Sequence, residues 1–153
     1  MKTFLYSIVI FSTQIFFNQA YALNFDVIGP CSDKAVYSGI FKADIAQNIG
    51  VISMDIFNMY KIPYSGSEEG MRSIINTPVG DDAIEVLSDT KMRAYGWCFS
   101  INGFIPDKLS SQSFLTKQND YISWFFAFST YDQGIWTDYC VAAHTIKSAQ
   151  FCK

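Results

Sequence analysis

Four cysteines, a single histidine and a second half crowded with aromatic rings are the groups in this chain with chemistry to offer. The cysteines are Cys31, Cys98, Cys140 and Cys152. No two have the close spacing of a zinc knuckle, so disulfides are the better reading. Four cysteines allow three pairings. Cys98–Cys140 and Cys31–Cys152 are favoured, because the first staples the middle of the chain to its C-terminal segment and the second ties the two ends together. His144 stands beside Val141, Ala142 and Ala143, which reads as a structural position. It has no second histidine for a metal site. A serine or cysteine nucleophile would need a base that the sequence does not pair with it. Asp81, Asp82 and Glu85, and Glu68 with Glu69, form acidic clusters without calcium-loop spacing and read as solvated loops. A glycine-rich phosphate loop and a nucleophile elbow are both missing. The expectation is a protein that is not an enzyme and carries neither cofactor nor metal.

The compartment follows from the N-terminus. Lys2 precedes a mostly apolar stretch, Phe4 to Phe17, and Ala20-Tyr21-Ala22 has the small-x-small form of a cleavage site. Residues 1–22 therefore read as a secretory signal peptide, and 23–153 as one domain, secreted or periplasmic. An oxidising compartment fits two disulfides. After cleavage no segment is long and apolar enough to cross a membrane. The net charge of −3 argues against nucleic acid, which needs a concentrated basic surface, and against an anionic membrane surface.

The elements that would position these groups are readable from periodicity. Asn24 to Pro30 is extended. Val36 to Ile45 alternates, with Tyr37, Gly39, Phe41, Ala43 and Ile45 on its buried side. Asn48 caps a helix over 49–61, with Ile49, Ile52, Ile56 and Met59 facing the core and Ser53, Asp55 and Asn58 facing water. Ser65 to Gly70 is a loop, Met71 to Asn76 a short strand, and Ala83 to Leu87 either a strand or one helical turn. Arg93, Tyr95, Trp97, Phe99 and Ile101 alternate with Ala94, Gly96, Cys98 and Ser100, and Asn102-Gly103 supplies a tight hairpin turn. Pro106 limits the segment after the turn to edge-strand character. Lys108 to Asp120 is a loop anchored by Phe114 and Leu115. Tyr121 to Phe128 is the strongest strand, apolar on both faces and hence central. Ile135 to Ile146 is ordered but of uncertain type.

Strand, helix, short strand, hairpin and strand in that order predict an α+β, β-grasp-like mixed sheet with one packed helix, stapled by disulfides. Gly96-Trp97, four residues and then Asn102-Gly103 resemble the transcobalamin-like C-terminal domain family, a small β-grasp domain of exported bacterial proteins and animal cobalamin carriers. Asn119-Asp120-Tyr121-Ile122-Ser123-Trp124 is similar to that family's turn and following strand, and Gly70 to Asn76 to its short strand after the helix. The resemblance spans Val36 to Phe128. It implies binding of a flat ligand such as cobalamin or another corrinoid. The alternative is a protein-interaction or structural component of a cell-envelope or secretion assembly, with another exported protein as its partner. With one helix to cover one sheet face, some rings are expected on an open face. Tyr95, Trp97, Phe99 and Phe104 are the first candidates for ligand contact, and Trp136 the next.

Overall fold

The computed structural model describes residues 20–117 and 119–152; the signal-peptide reading for residues 1–19 lies outside them. The chain forms β1 (Ala20–Ile28), β2 (Ala35–Asp44), α1 (Ile49–Tyr60), β3 (Tyr64–Ser67), β4 (Gly70–Ile74), β5 (Ile84–Ser88), β6 (Lys91–Ile101), β7 (Tyr121–Asp132), β8 (Ile135–Trp136) and β9 (Val141–Ala142). The main sheet runs in the order β2-β1-β7-β6-β5, with β8 and β9 on β7 as well. β1 and β7 are parallel, whereas β1–β2, β5–β6 and β6–β7 are antiparallel. β3 and β4 form a separate hairpin. The result is the expected α+β fold: a mixed sheet, one helix across it and two disulfides. Among the described residues no helix is long and apolar enough to cross a membrane.

The helix forms where the sequence stops it from doing otherwise. The Asn48 side chain accepts from the Val51 N–H at 2.9 Å, and Lys61 closes the other end in the left-handed region with φ 55°. Ile49, Ile52, Ile56 and Phe57 pack against Leu23, Phe25 and Val27 of β1, Phe41 of β2, Phe99 of β6 and Ile122 and Trp124 of β7. Gly50 is required here, because a Cβ would lie 1.9 Å from the Glu68 carbonyl oxygen at the β3–β4 turn.

Several expectations change. β1 starts at Ala20, ahead of the extended segment expected from Asn24, and Ala20–Ala22 pair with Lys42–Asp44. The loop expected at Ser65 to Gly70 contributes β3 and the start of β4. Met59, expected in the core, is 64% exposed, and Phe57 takes its place because the buried stripe follows positions 49, 52, 53, 56 and 57. Ser53, expected to face water, is fully buried. Its hydroxyl donates to the Ile49 carbonyl at 2.7 Å and accepts the Trp124 indole N–H at 2.8 Å. A polar residue reaches the core here because it satisfies a polar ring atom that the core would otherwise strand. Asn102 and Gly103, with φ of 53° and 79°, do make the tight turn. It closes one pair only, Ile101 with Phe104, and the strand antiparallel to β6 is β7. Pro106, with no N–H to give a ladder, stands where the turn's return strand would continue.

Replacing Ser53 with Ala leaves the Trp124 indole N–H buried without a partner. Chemical denaturation is expected to show a loss of about 1–3 kcal/mol, against less than about 0.5 kcal/mol for Asp55→Ala on the exposed side. Equal effects would mean that the indole finds another acceptor.

Candidate functional site

Alternation along β6 divides its side chains between two environments. Tyr95 and Phe99 are 7% and 8% exposed and point into the core. Phe99 meets Trp124, with ring centroids 5.2 Å apart. Tyr95 belongs to a second cluster, beyond the reach of the helix, with Phe126, Phe128, Ala83 and Ala143. The C-terminal segment covers this cluster with Phe151, whose ring centroid is 4.6 Å from that of Tyr95. Trp97 is half-buried between the two clusters and donates its indole N–H to Thr77 Oγ1 at 2.7 Å. The large-residue face expected to meet a ligand is therefore the face that builds the core.

The small residues face the other way. Ala94, Gly96 and Cys98 of β6 lie beside Ala127 and Ser129 of β7 and floor an open groove of about 370 Å³. A Cβ built on Gly96 meets no atom within 4 Å, so the floor is flat there and the space above it is free. Trp136 and Tyr139 flank the groove, and none of its lining residues is charged. Trp136 is 41% exposed, and its ring packs edge-on against Tyr131 with centroids 5.3 Å apart. The Tyr139 hydroxyl donates to the Trp136 carbonyl at 3.1 Å. Thr137 N–H donates to the Thr130 carbonyl at 2.8 Å, and Thr130 N–H donates to the Asp138 carbonyl at 3.2 Å. The segment from Ile135 to Cys140 is thus a strap held to β7 along its length and fastened to the floor at its end by the Cys98–Cys140 disulfide. The second disulfide is Cys31–Cys152, so both favoured pairings are formed.

Of the candidate ligand contacts, the structure brings Trp136 to the groove as a ring. Tyr95 and Trp97 border it as strand neighbours, with their side chains turned elsewhere. Phe99 is core, and Phe104 is 72% exposed and lines a separate surface hollow with Phe114. Ala127, Ser129 and Tyr139 were not singled out by the sequence. Parity along Tyr121–Phe128 placed Ala127 opposite the rings, but no local signal placed it beside Gly96; that needs the β6–β7 register.

Glu85 also changes role. The solvated-loop reading does not hold for it, because its carboxylate accepts from the Tyr95 hydroxyl at 2.5 Å, Arg93 Nη1 at 3.2 Å and the Ser148 hydroxyl at 3.2 Å. Burial by itself would raise its pKa, but these hydrogen bonds and the Arg93 charge outweigh burial and hold it below the ordinary glutamate value. Burial, and then the same contact with Glu85, raise the Tyr95 hydroxyl. Arg93 also lies over the Phe128 ring, 5.1 Å from its centroid. The cluster locks β5, β6 and the C-terminal segment together under the second core. Asp120, fully buried at the end of the 102–120 connection, is held the same way. Burial pushes it up, and donors from Asn102 Nδ2 (2.7 Å), Thr116 N (2.8 Å) and Lys117 N (3.1 Å) bring it below the usual range.

Among the described residues, no three His, Cys, Asp or Glu side chains stand together as a metal ion would need. No protein-family model matches the chain, and no curated protein matches it. Among solved structures, it is similar to a Ruminococcus gnavus protein for which metal binding has been suggested. The two share 13% identity over 69% of this chain and 95% of that one, with a TM-score of 0.44. A superposition this loose carries neither fold nor function across.

Two outcomes follow. A carboxylate held low stabilises the fold above its ordinary pKa of about 4.5, and that contribution is lost as pH falls through the lower folded value. Thermal melts from pH 6 to pH 3 are expected to show a steeper fall for the wild type than for Glu85→Gln. Parallel curves would remove Glu85 from the pH response. Replacing Cys98 and Cys140 together with Ser is expected to cost about 2–4 kcal/mol and to speed amide exchange in residues 135–140. Unchanged exchange there would show that the strap is held by β7 alone.

Proposed function

We propose that this protein is an exported, non-catalytic binding module whose groove over Gly96 takes one face or edge of a flat, uncharged ring. The observation that carries this reading is the bare floor: Gly96 leaves open space in the middle of an otherwise well-packed sheet, between the Trp136 and Tyr139 rings. Glycine inside a strand costs stability and gives no packing in return. Close approach of a ligand is one reason for a strand to carry it. About 370 Å³ lies at the small end of ligand pockets, so a large ring would enter only in part. Trp136 and Tyr139 offer stacking surface, and the Ser129 hydroxyl and Trp136 indole N–H offer the few polar points that orient a ligand. The lack of charge in the lining disfavours phosphates and free carboxylates. Cobalamin is the trial ligand, on the resemblance of the Gly96–Gly103 and Asn119–Trp124 segments to transcobalamin-like domains. Export rests on the leader reading and is supported by the two disulfides.

Titration of the protein with cyanocobalamin and hydroxocobalamin, followed by absorbance and calorimetry, tests the reading. A shift with saturable heat is expected. Gly96→Val should fill the groove and weaken binding at least about tenfold, equivalent to about 1.4 kcal/mol, while the melting temperature stays the same or rises. No absorbance shift and no heat at high micromolar concentration would remove the corrinoid. Binding that ignores Gly96→Val would move the site elsewhere.

A further inference from the structure

The connection from β6 to β7 is long for a compact domain and carries only one short 3-10 turn, Ser110–Gln112. Loops of this kind are commonly kept for function. This one is firmly pinned. Asp120, fully buried, accepts from Asn102 Nδ2 at the start of the loop and from the Thr116 and Lys117 N–H groups near its end. Ser110, also fully buried, donates its hydroxyl to the Glu68 carbonyl at 2.6 Å. Ile49 N–H donates to the Ser113 carbonyl at 2.8 Å. Leu115 anchors the loop in the core, whereas Phe114, expected to share that work, is 49% exposed. Between these anchors lies a hollow of about 650 Å³ that shares no lining residue with the groove over Gly96. Its apolar lining includes the exposed rings of Phe104 and Phe114, with Pro106 beside them. Its polar lining includes Asp107, Lys108 and Gln112, all three exposed.

We infer that this hollow binds a neutral saccharide, with its pyranose rings lying against Phe104 and Phe114. The face of an aromatic ring is electron-rich and attracts the C–H bonds that a pyranose presents on its flat side. Sugar hydroxyls both donate and accept hydrogen bonds. The Asp107 carboxylate accepts only, the Lys108 ammonium donates only, and the Gln112 amide does both, so together they suit a rim of hydroxyls. A wholly apolar ligand would strip water from these three groups and return no hydrogen bond. An anion would meet Asp107 and a cation would meet Lys108. The two charges balance, which favours a ligand without net charge. The walls are set before a ligand arrives, because Asn102 and Thr116, both in the lining, are already fixed by Asp120. Little ordering is then left for binding to impose. A volume of about 650 Å³ lies well within the range of ligand sites. The inference does not depend on any ligand in the Gly96 groove.

Backbone amide NMR on the intact, disulfide-bonded protein tests it. The probes are cellotriose, maltotriose and triacetylchitotriose, each taken to about 10 mM, which nearly saturates a site with a millimolar Kd. At least one is expected to shift the amides of residues 104–116 saturably and to leave Gly96 and Ser129 in place. Phe104→Ala, which removes a ring that is mostly in solvent, should keep the melting temperature and weaken binding at least about tenfold. Gln112→Ala should weaken it by a smaller factor, and Gly96→Val should leave it unchanged. Shifts that are absent with glucose would assign a polysaccharide chain as the source, and equal shifts with glucose a free monosaccharide. No saturable shift with any of the three sugars would overturn the inference. So would shifts centred on Gly96, or binding indifferent to Phe104→Ala. Tighter binding of the dipeptide Ala-Phe than of any trisaccharide would also overturn it, by giving the balanced charges to a zwitterion.

Discussion

Strand β7 hydrogen-bonds to four other strands, and the rest of the molecule is arranged around that fact. Its first half lies between β1, in parallel, and β6, antiparallel. Its second half keeps β6 on one edge and takes β9 and β8 on the other. With both edges paired, β7 lies in the middle of the sheet, and its row of rings needs cover along its whole length. Residues Ile122 to Phe128 are buried without interruption. Toward the helix, Ile122 and Trp124 meet α1; farther along, Phe126 and Phe128 meet the C-terminal segment. One helix of three turns cannot span a strand of this length, which is why the fold needs a second cover and why the chain continues past β7.

That second cover explains the placement of the covalent links. Cys31 follows β1 and Cys152 ends the described C-terminal segment, so their bond holds Phe151 over Tyr95 and Phe126. Glu85 does the same work without covalency, reaching Ser148 from β5. The other disulfide acts on the opposite face. Cys98 points away from the rings of its own strand, and its partner ends the strap that carries Trp136 and Tyr139. A segment with two-residue strands and little burial of its own would otherwise be among the first parts to open. Fastened at Cys140, it becomes one wall of a groove.

The groove itself is a consequence of pleating. Large rings on one side of β6 and β7 fill the core, and the residues between them must then be small or polar where nothing packs on the far side. Ala94, Gly96, Ala127 and Ser129 obey this rule. The core and the candidate site are thus two sides of one alternation. A substitution on one side has little room to act without the other, except at Gly96, where the space above the backbone is empty.

Local pattern was enough for the helix over 49–60, its Asn48 cap, the alternating faces of β2 and β6, the doubly buried β7 and the positive-φ turn at Asn102-Gly103. These depend on neighbours within a few residues, and their physics is contained in spacing and side-chain type. Both disulfide pairings were favoured from the logic of tying ends and middle together, and the structure forms both. Trp136 was legible as a ring outside the strongest strands. What spacing could not supply was the side on which each face would end. Tyr95 and Phe99 are core because α1 and Phe151 lie over them, and those contacts join residues far apart in the chain. Ser53 is buried because Trp124 needs an acceptor, and Glu85 is held because Arg93, Tyr95 and Ser148 converge on it. Periodicity determines which residues share a face. Only the tertiary structure, by bringing distant elements against one face and leaving the other bare, decided which face is core and which is groove.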